Sequence, residues 1–106
     1  MTDEEKILER IVSVVRRSAP GSEVYLYGSR ARGDHRHISD WDLLILLQEE
    51  KDSFSLQTKL IDDLFYVEIE TGAVISPLIY TKKEWEGDHY DTPLFRTIRK
   101  EGIRIQ

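Results

Sequence analysis

A small α/β (α+β) domain, with a mixed β-sheet and helices packed against it, is the fold class this sequence predicts, on three observations. Stretches with apolar residues at helical spacing alternate with short β-branched and aromatic runs. One run, Leu43 to Leu47, is apolar at every position, as a strand covered on both faces requires. A chain of 106 residues can build one core but not two, so residues 1–106 read as a single domain.

The elements follow in order. Thr2-Asp3-Glu4-Glu5 has the form of a capping box, and Ile7, Leu8, Ile11, Val14 and Val15 recur at helical spacing, which predicts a first helix ending near Ser18 before Pro20-Gly21. Glu23 to Tyr27 reads as a strand that stops at Gly28, and the segment Gly28 to Ser39 can open with a short helix. Trp41 to Gln48 is the second strand and Gln48 to Ser55 a polar loop. Leu56, Leu60, Ile61 and Leu64 then predict a second amphipathic helix. Its end is ambiguous, since Phe65 to Glu70 alternates like a strand; the helix is preferred, with Thr71-Gly72 as its stop. Ala73 to Tyr80 is a third strand, placed at an edge or bulge by Pro77. Thr81 to Glu84 repeats the capping-box pattern before a short helix around Trp85. Thr92-Pro93 opens a last helix to Glu101, Gly102 stops it, and Ile103 to Ile105 is a closing edge strand.

Composition excludes several classes. The hydrophobic share of 40% argues against disorder, and no apolar run is long enough to span a bilayer. The charged N-terminus does not read as a signal peptide, and the absence of cysteine excludes disulfides and thiolate metal sites; both fit a cytoplasmic protein. A net charge of −5 argues against a general nucleic-acid binder. Arg30, Arg32, His35, Arg36 and His37 nevertheless cluster just before two aspartates.

Those aspartates raise the functional question. Asp40 and Asp42 stand two apart, on one face if the strand includes both, at the mouth of an apolar run where an unpaired carboxylate is costly to dehydrate. A divalent cation would relieve both repulsion and dehydration, and hard oxygen ligands suit Mg²⁺ or Mn²⁺. Gly28-Ser29 follows a strand, where glycine permits close backbone approach and free amides attract phosphate. Alone, Gly28-Ser29 fits a plain tight turn equally well, and a lone Asp-x-Asp is as a rule a solvated turn or cap. Together, on consecutive strands joined by an arginine-bearing segment, they form the toolkit of metal-assisted nucleotidyl transfer.

The spacing of Gly28-Ser29, ten residues, then Asp40-Trp41-Asp42 resembles the signature of the DNA polymerase β-like nucleotidyltransferase superfamily. The stretch Tyr25 to Leu47 is most similar to its minimal nucleotidyltransferases. That resemblance implies the nucleotidyltransferase fold, Gly28 and Ser29 holding triphosphate, Asp40 and Asp42 binding metal, and an NTP, ATP by preference, as donor of an NMP group. It also implies a partner, since many such proteins neutralise a HEPN-domain toxin by AMP transfer or by binding; a homodimer is the other expectation. A third carboxylate usually stands on a later strand, where it completes the metal site and can serve as general base. Here that position aligns with Ser76, which cannot take up a proton near neutral pH as a carboxylate can. Glu68 and Glu70 could substitute only if their segment were a strand or reached the cleft.

Arg30 and Arg32 are the expected phosphate ligands, the alternative being a surface pair with Asp34 or Glu23. His35 and His37 lack ligand spacing for zinc and are expected exposed in the loop. Trp41 is expected packed on a helix, and Asp62-Asp63 solvated. Lys82, Lys83, Arg96, Arg99 and Lys100 could meet an acidic partner or complement helix dipoles. The leading expectation is thus an enzyme, a metal-dependent transferase. A fold-retaining binding module or regulatory subunit, motivated by Ser76, and an NTP sensor are the alternatives.

Overall fold

The computed structural model describes residues 2–48 and 53–106. Thr2 starts α1 (Asp3–Ser18) by accepting the Glu5 N–H at 3.2 Å, and Asp3, Glu4 and Glu5 in the first turn with Arg16 and Arg17 in the last complement the helix dipole. There follow β1 (Glu23–Tyr27), α2 (Ser29–Arg32), β2 (Trp41–Leu47), α3 (Ser53–Thr71), β3 (Ile75–Thr81), α4 (Lys82–Glu86), α5 (Pro93–Glu101) and β4 (Ile103–Arg104). The sheet is mixed, in the order β3-β2-β1-β4. β1 runs antiparallel to β2 and β4, whereas β2 and β3 are parallel, a pairing that needs the crossover α3 provides.

β2 lies inside the sheet and is buried on both faces, which is why its sequence does not alternate. Leu43, Ile45 and Leu47 pack with Val24 and Leu26 against α1 and α3; Leu44 and Leu46 pack on the other face with Trp85 of α4 and Ile98 of α5. Truncating a fully buried member such as Ile45 to Ala costs about 2–5 kcal/mol.

Phe65 to Glu70 is helical. α3 buries Leu60, Leu64 and Val67 at helical spacing on the sheet, and this tertiary contact overrides the strand-like alternation. Gly72 then stops the helix at φ +76°. The loop expected over Gln48 to Ser55 falls partly on residues 49–52, outside the described residues; helix already begins at Ser53. β3 starts at Ile75 rather than Ala73 and, as Pro77 indicated, is an edge strand. At its end Thr81 and Glu84 close a full capping box, with Thr81 N–H donating to Glu84 Oε1 at 3.0 Å and Glu84 N–H to Thr81 Oγ1 at 3.1 Å. Thr92 caps α5 with Pro93 at its first turn. β4 forms the opposite edge, and the Ile105 N–H extends its pairing to Val24 O at 2.8 Å. No helix among the described residues is long and apolar enough to cross a membrane.

Candidate active site

Three strand ends meet at one end of the sheet: the close of β1 and the openings of β2 and β3. The antiparallel register sets Tyr27 opposite Asp42, and the parallel register sets Ser76 opposite Asp42 on its other side. Asp40 precedes β2, which starts at Trp41 as expected, so the two aspartates do not share a strand face, and Asp40 is exposed. It is nevertheless held to the sheet, because the Ser76 hydroxyl donates to Asp40 Oδ2 at 3.0 Å. Gly28 leaves β1 at φ +77°, and a Cβ there would collide with the Asp42 carboxylate. Both the backbone angle and this close approach therefore require glycine.

Asp42 is electrostatically uncomfortable. Burial pushes the Asp42 carboxyl above its ordinary pKa, the neighbouring Asp40 charge pushes it further, and Arg32 partly opposes both. Tyr27 is raised too, first by burial and then by the charge of Asp42. Among the described residues no three His, Asp or Glu side chains converge on one point, so Ser76 is not compensated by another acid. Glu68 and Glu70 lie on α3, and Glu70 is bound by Arg10 of α1 at 2.7 and 3.2 Å.

The two arginines part ways. The Arg30 side chain is 5% exposed; its guanidinium stacks 4.1 Å from the Trp41 ring centre and donates to Ser39 O at 3.0 and 2.8 Å and to His37 O at 3.1 Å. It holds the Gly33 to Ser39 loop against the opening of β2. Arg32 is half-exposed and reaches Asp34 at 3.2 Å and, across the fold, Glu101 at 3.1 Å. Glu101 also accepts the Gly28 N–H at 3.1 Å. The hydroxyl of Ser29 finds no partner among the described residues.

Glu101 is the site residue that the sequence did not announce, because 73 positions separate it from Gly28 and no local motif marks it. His35 also departs from expectation. It is half-buried, with Nε2 3.0 Å from Glu4 Oε1, and so ties the loop to α1, while His37 is exposed. Trp41 is in the core as expected, and Asp63 is engaged by Ser18 while Asp62 is solvated. Lys82 is spent on Glu23 at 3.0 Å, in a cluster with the Tyr25 hydroxyl and Arg104. A cavity of about 430 Å³ lies further along the same sheet face, lined by Tyr25, Leu46, Trp85 and Phe95; neither aspartate lines it.

These residues fit a divalent cation. The Asp40 charge adds to the cost of ionising Asp42, beside a glycine that leaves no side chain between backbone and Asp42. Mg²⁺ asks for no more than one or two protein carboxylates when phosphate oxygens and water complete its shell.

Comparison with known proteins agrees with this fold. Among solved structures, a proposed minimal nucleotidyltransferase is 25% identical, with a TM-score of 0.59 over 97% of this chain and 95% of its own. A proposed nucleotidyltransferase from Sulfolobus solfataricus is also 25% identical, with a TM-score of 0.53 over 96% of this chain and 81% of its own. A toxin-antitoxin structure with AMP-PNP shares the fold at 16% identity and a TM-score of 0.55, covering 93% of this chain and 72% of its own. No curated protein matches the sequence. The family model of the nucleotidyltransferase domain matches residues 8–101, nearly the whole chain, and the protein therefore belongs to the nucleotidyltransferase domain family.

Proposed function

We propose that the chain transfers a nucleoside monophosphate, AMP by preference, from an NTP to a hydroxyl of a protein or small-molecule acceptor. The observation that carries this reading is the packing of Gly28 directly against the Asp42 carboxylate, with Asp40 alongside. It puts a phosphate-approachable backbone and a carboxylate pair at one sheet end. In the reaction the acceptor oxygen bonds to the α-phosphorus, the α–β anhydride breaks, and pyrophosphate leaves. Gly28, Ser29 and Arg32 hold the triphosphate, while Arg30 shapes the loop that presents Asp40. Asp40 and Asp42 would hold Mg²⁺ or Mn²⁺, which when bound polarises the α-phosphoryl group and balances its charge. Because Ser76 stands where a base is expected, the acceptor proton passes to solvent or to a carboxylate of the partner.

A protein partner is supported by α3, which exposes Phe54, Ile61, Phe65 and Ile69 along one helical stripe on the side away from the sheet. The toxin-antitoxin relative supports a partner of the same general kind, and its AMP-PNP supports an NTP donor. Incubation with ATP labelled at the α-phosphate, Mg²⁺ and a candidate partner tests the reading. Label should appear on the acceptor and be lost in Asp42→Ala; absence of transfer with every nucleotide would sink it. The second reading, a binding module without efficient chemistry, rests on Ser76. It predicts that protein carrying both Asp40→Ala and Asp42→Ala still neutralises its partner in full, and loss of neutralisation with the complex intact rejects it.

A further inference from the structure

Resting on the phosphate-cradle reading above, we propose that Glu101 is a built-in anion that occupies the cradle and must be displaced by the triphosphate, so that it gates nucleotide entry. Its carboxylate takes the Gly28 N–H at 3.1 Å and Arg32 Nη1 at 3.1 and 3.4 Å. These are two of the donors assigned to phosphate, and one oxygen, Oε1, bridges them as a phosphate oxygen would, while Oε2 adds the longer contact to Arg32.

The placement is imposed by the sheet. β4 pairs with β1 so that Leu26 faces Ile103 and Tyr25 faces Arg104. Gly28 lies one residue past the end of β1 and Glu101 two residues before β4, so this pairing delivers the end of α5 beside Gly28. The carboxylate is thus tethered at the cradle and competes at the effective concentration of an intramolecular ligand. α5 itself gives no reason for an acid there: Glu101 is its last residue, where the dipole disfavours negative charge, and Arg99 and Lys100 just before it follow the favourable pattern. Gly102 turns the chain immediately afterwards, its N–H donating to Ile98 O at 2.7 Å. With its side chain 20% exposed, Glu101 can swing to solvent without unpacking the core.

A latch closed nine-tenths of the time weakens apparent affinity about tenfold, because only the open fraction binds. The test is titration of the full chain with ATP in Mg²⁺, and with inorganic tripolyphosphate, comparing wild type, Glu101→Gln and Glu9→Gln. Glu9 is an exposed acid of α1, so Glu9→Gln makes the same change in net charge away from the cradle. The latch requires that Glu101→Gln bind both ligands about tenfold more tightly and that Glu9→Gln bind like wild type. If wild type binds and Glu101→Gln binds equally or more weakly, the latch is overturned and the cradle stands. An equal gain in Glu9→Gln overturns it as well, by showing a general charge effect. If no protein binds either ligand, the cradle reading falls and the latch with it. Should Glu101→Gln fail to fold, Glu101→Asp replaces it: the same charge on an arm one methylene shorter should also tighten binding, and unchanged affinity rejects the proposal.

Discussion

The Ser76 hydroxyl donates to Asp40 Oδ2 across 3.0 Å while Ser76 itself stands opposite Asp42 in the parallel register. One hydroxyl therefore bridges the two carboxylates' neighbourhood without adding charge. Ser76→Asp would add a third carboxylate to a pair that already repels. Without metal it should lower the melting temperature, and it should tighten Mg²⁺ binding about tenfold, since ligand charge governs affinity. Thermal melts with and without Mg²⁺ check this; equal Mg²⁺ response in variant and wild type would show that position 76 does not face the metal.

Asp42 carries a stability cost of its own. Its pKa is raised, so the folded state disfavours the ionised form. Below the ordinary carboxylate range both folded and unfolded chains hold the proton and no cost arises. As pH rises through the raised value, stability is lost. Asp42→Asn should therefore match wild type in acid and become the more stable protein toward neutral pH, by about 0.5 kcal/mol given its solvent access. Paired denaturation curves across pH measure the difference, and a gap that is widest in acid contradicts the assignment.

Arg30 and Arg32 should separate in mutagenesis. Arg30→Met leaves the Ser39 and His37 carbonyls and the Trp41 face without their cation, and should cost about 1.5–3 kcal/mol in denaturant unfolding. Arg32→Met should melt near wild type yet lose affinity for ATP and tripolyphosphate. The reverse pattern would move the phosphate role to Arg30.

The exposed stripe of α3 is expected to mediate association. Phe65 and Ile69 are 56% and 66% exposed, so replacing both with Asp should change stability by no more than about 0.5 kcal/mol. Sedimentation of purified wild-type protein should show self-association that this double variant abolishes. A wild type that stays monomeric alone, and a variant that still binds the partner as wild type does, would together leave the stripe without a role.

Much of this architecture could be read along the chain because its signals are local. Capping residues at Thr2, Thr81 and Thr92, the unbroken apolar run of β2, and Pro77 on an edge strand each act within a few residues of where they appear. So does the short path from Gly28 to Asp42, since adjacent antiparallel strands bring them together with no further information. The end of α3 was ambiguous for the opposite reason: only contact of Leu64 and Val67 with the sheet makes helix the better state for Phe65 to Glu70. The fates of the two arginines and of Glu101 lay further from view. Arg30 and Arg32 are two residues apart in a four-residue helix and differ in what lies beneath them, Trp41 in one case and the end of α5 in the other. Glu101 meets Gly28 because β4 pairs with β1 in one register, and strand pairing across the length of the chain is a property of the folded sheet, not of any segment of sequence.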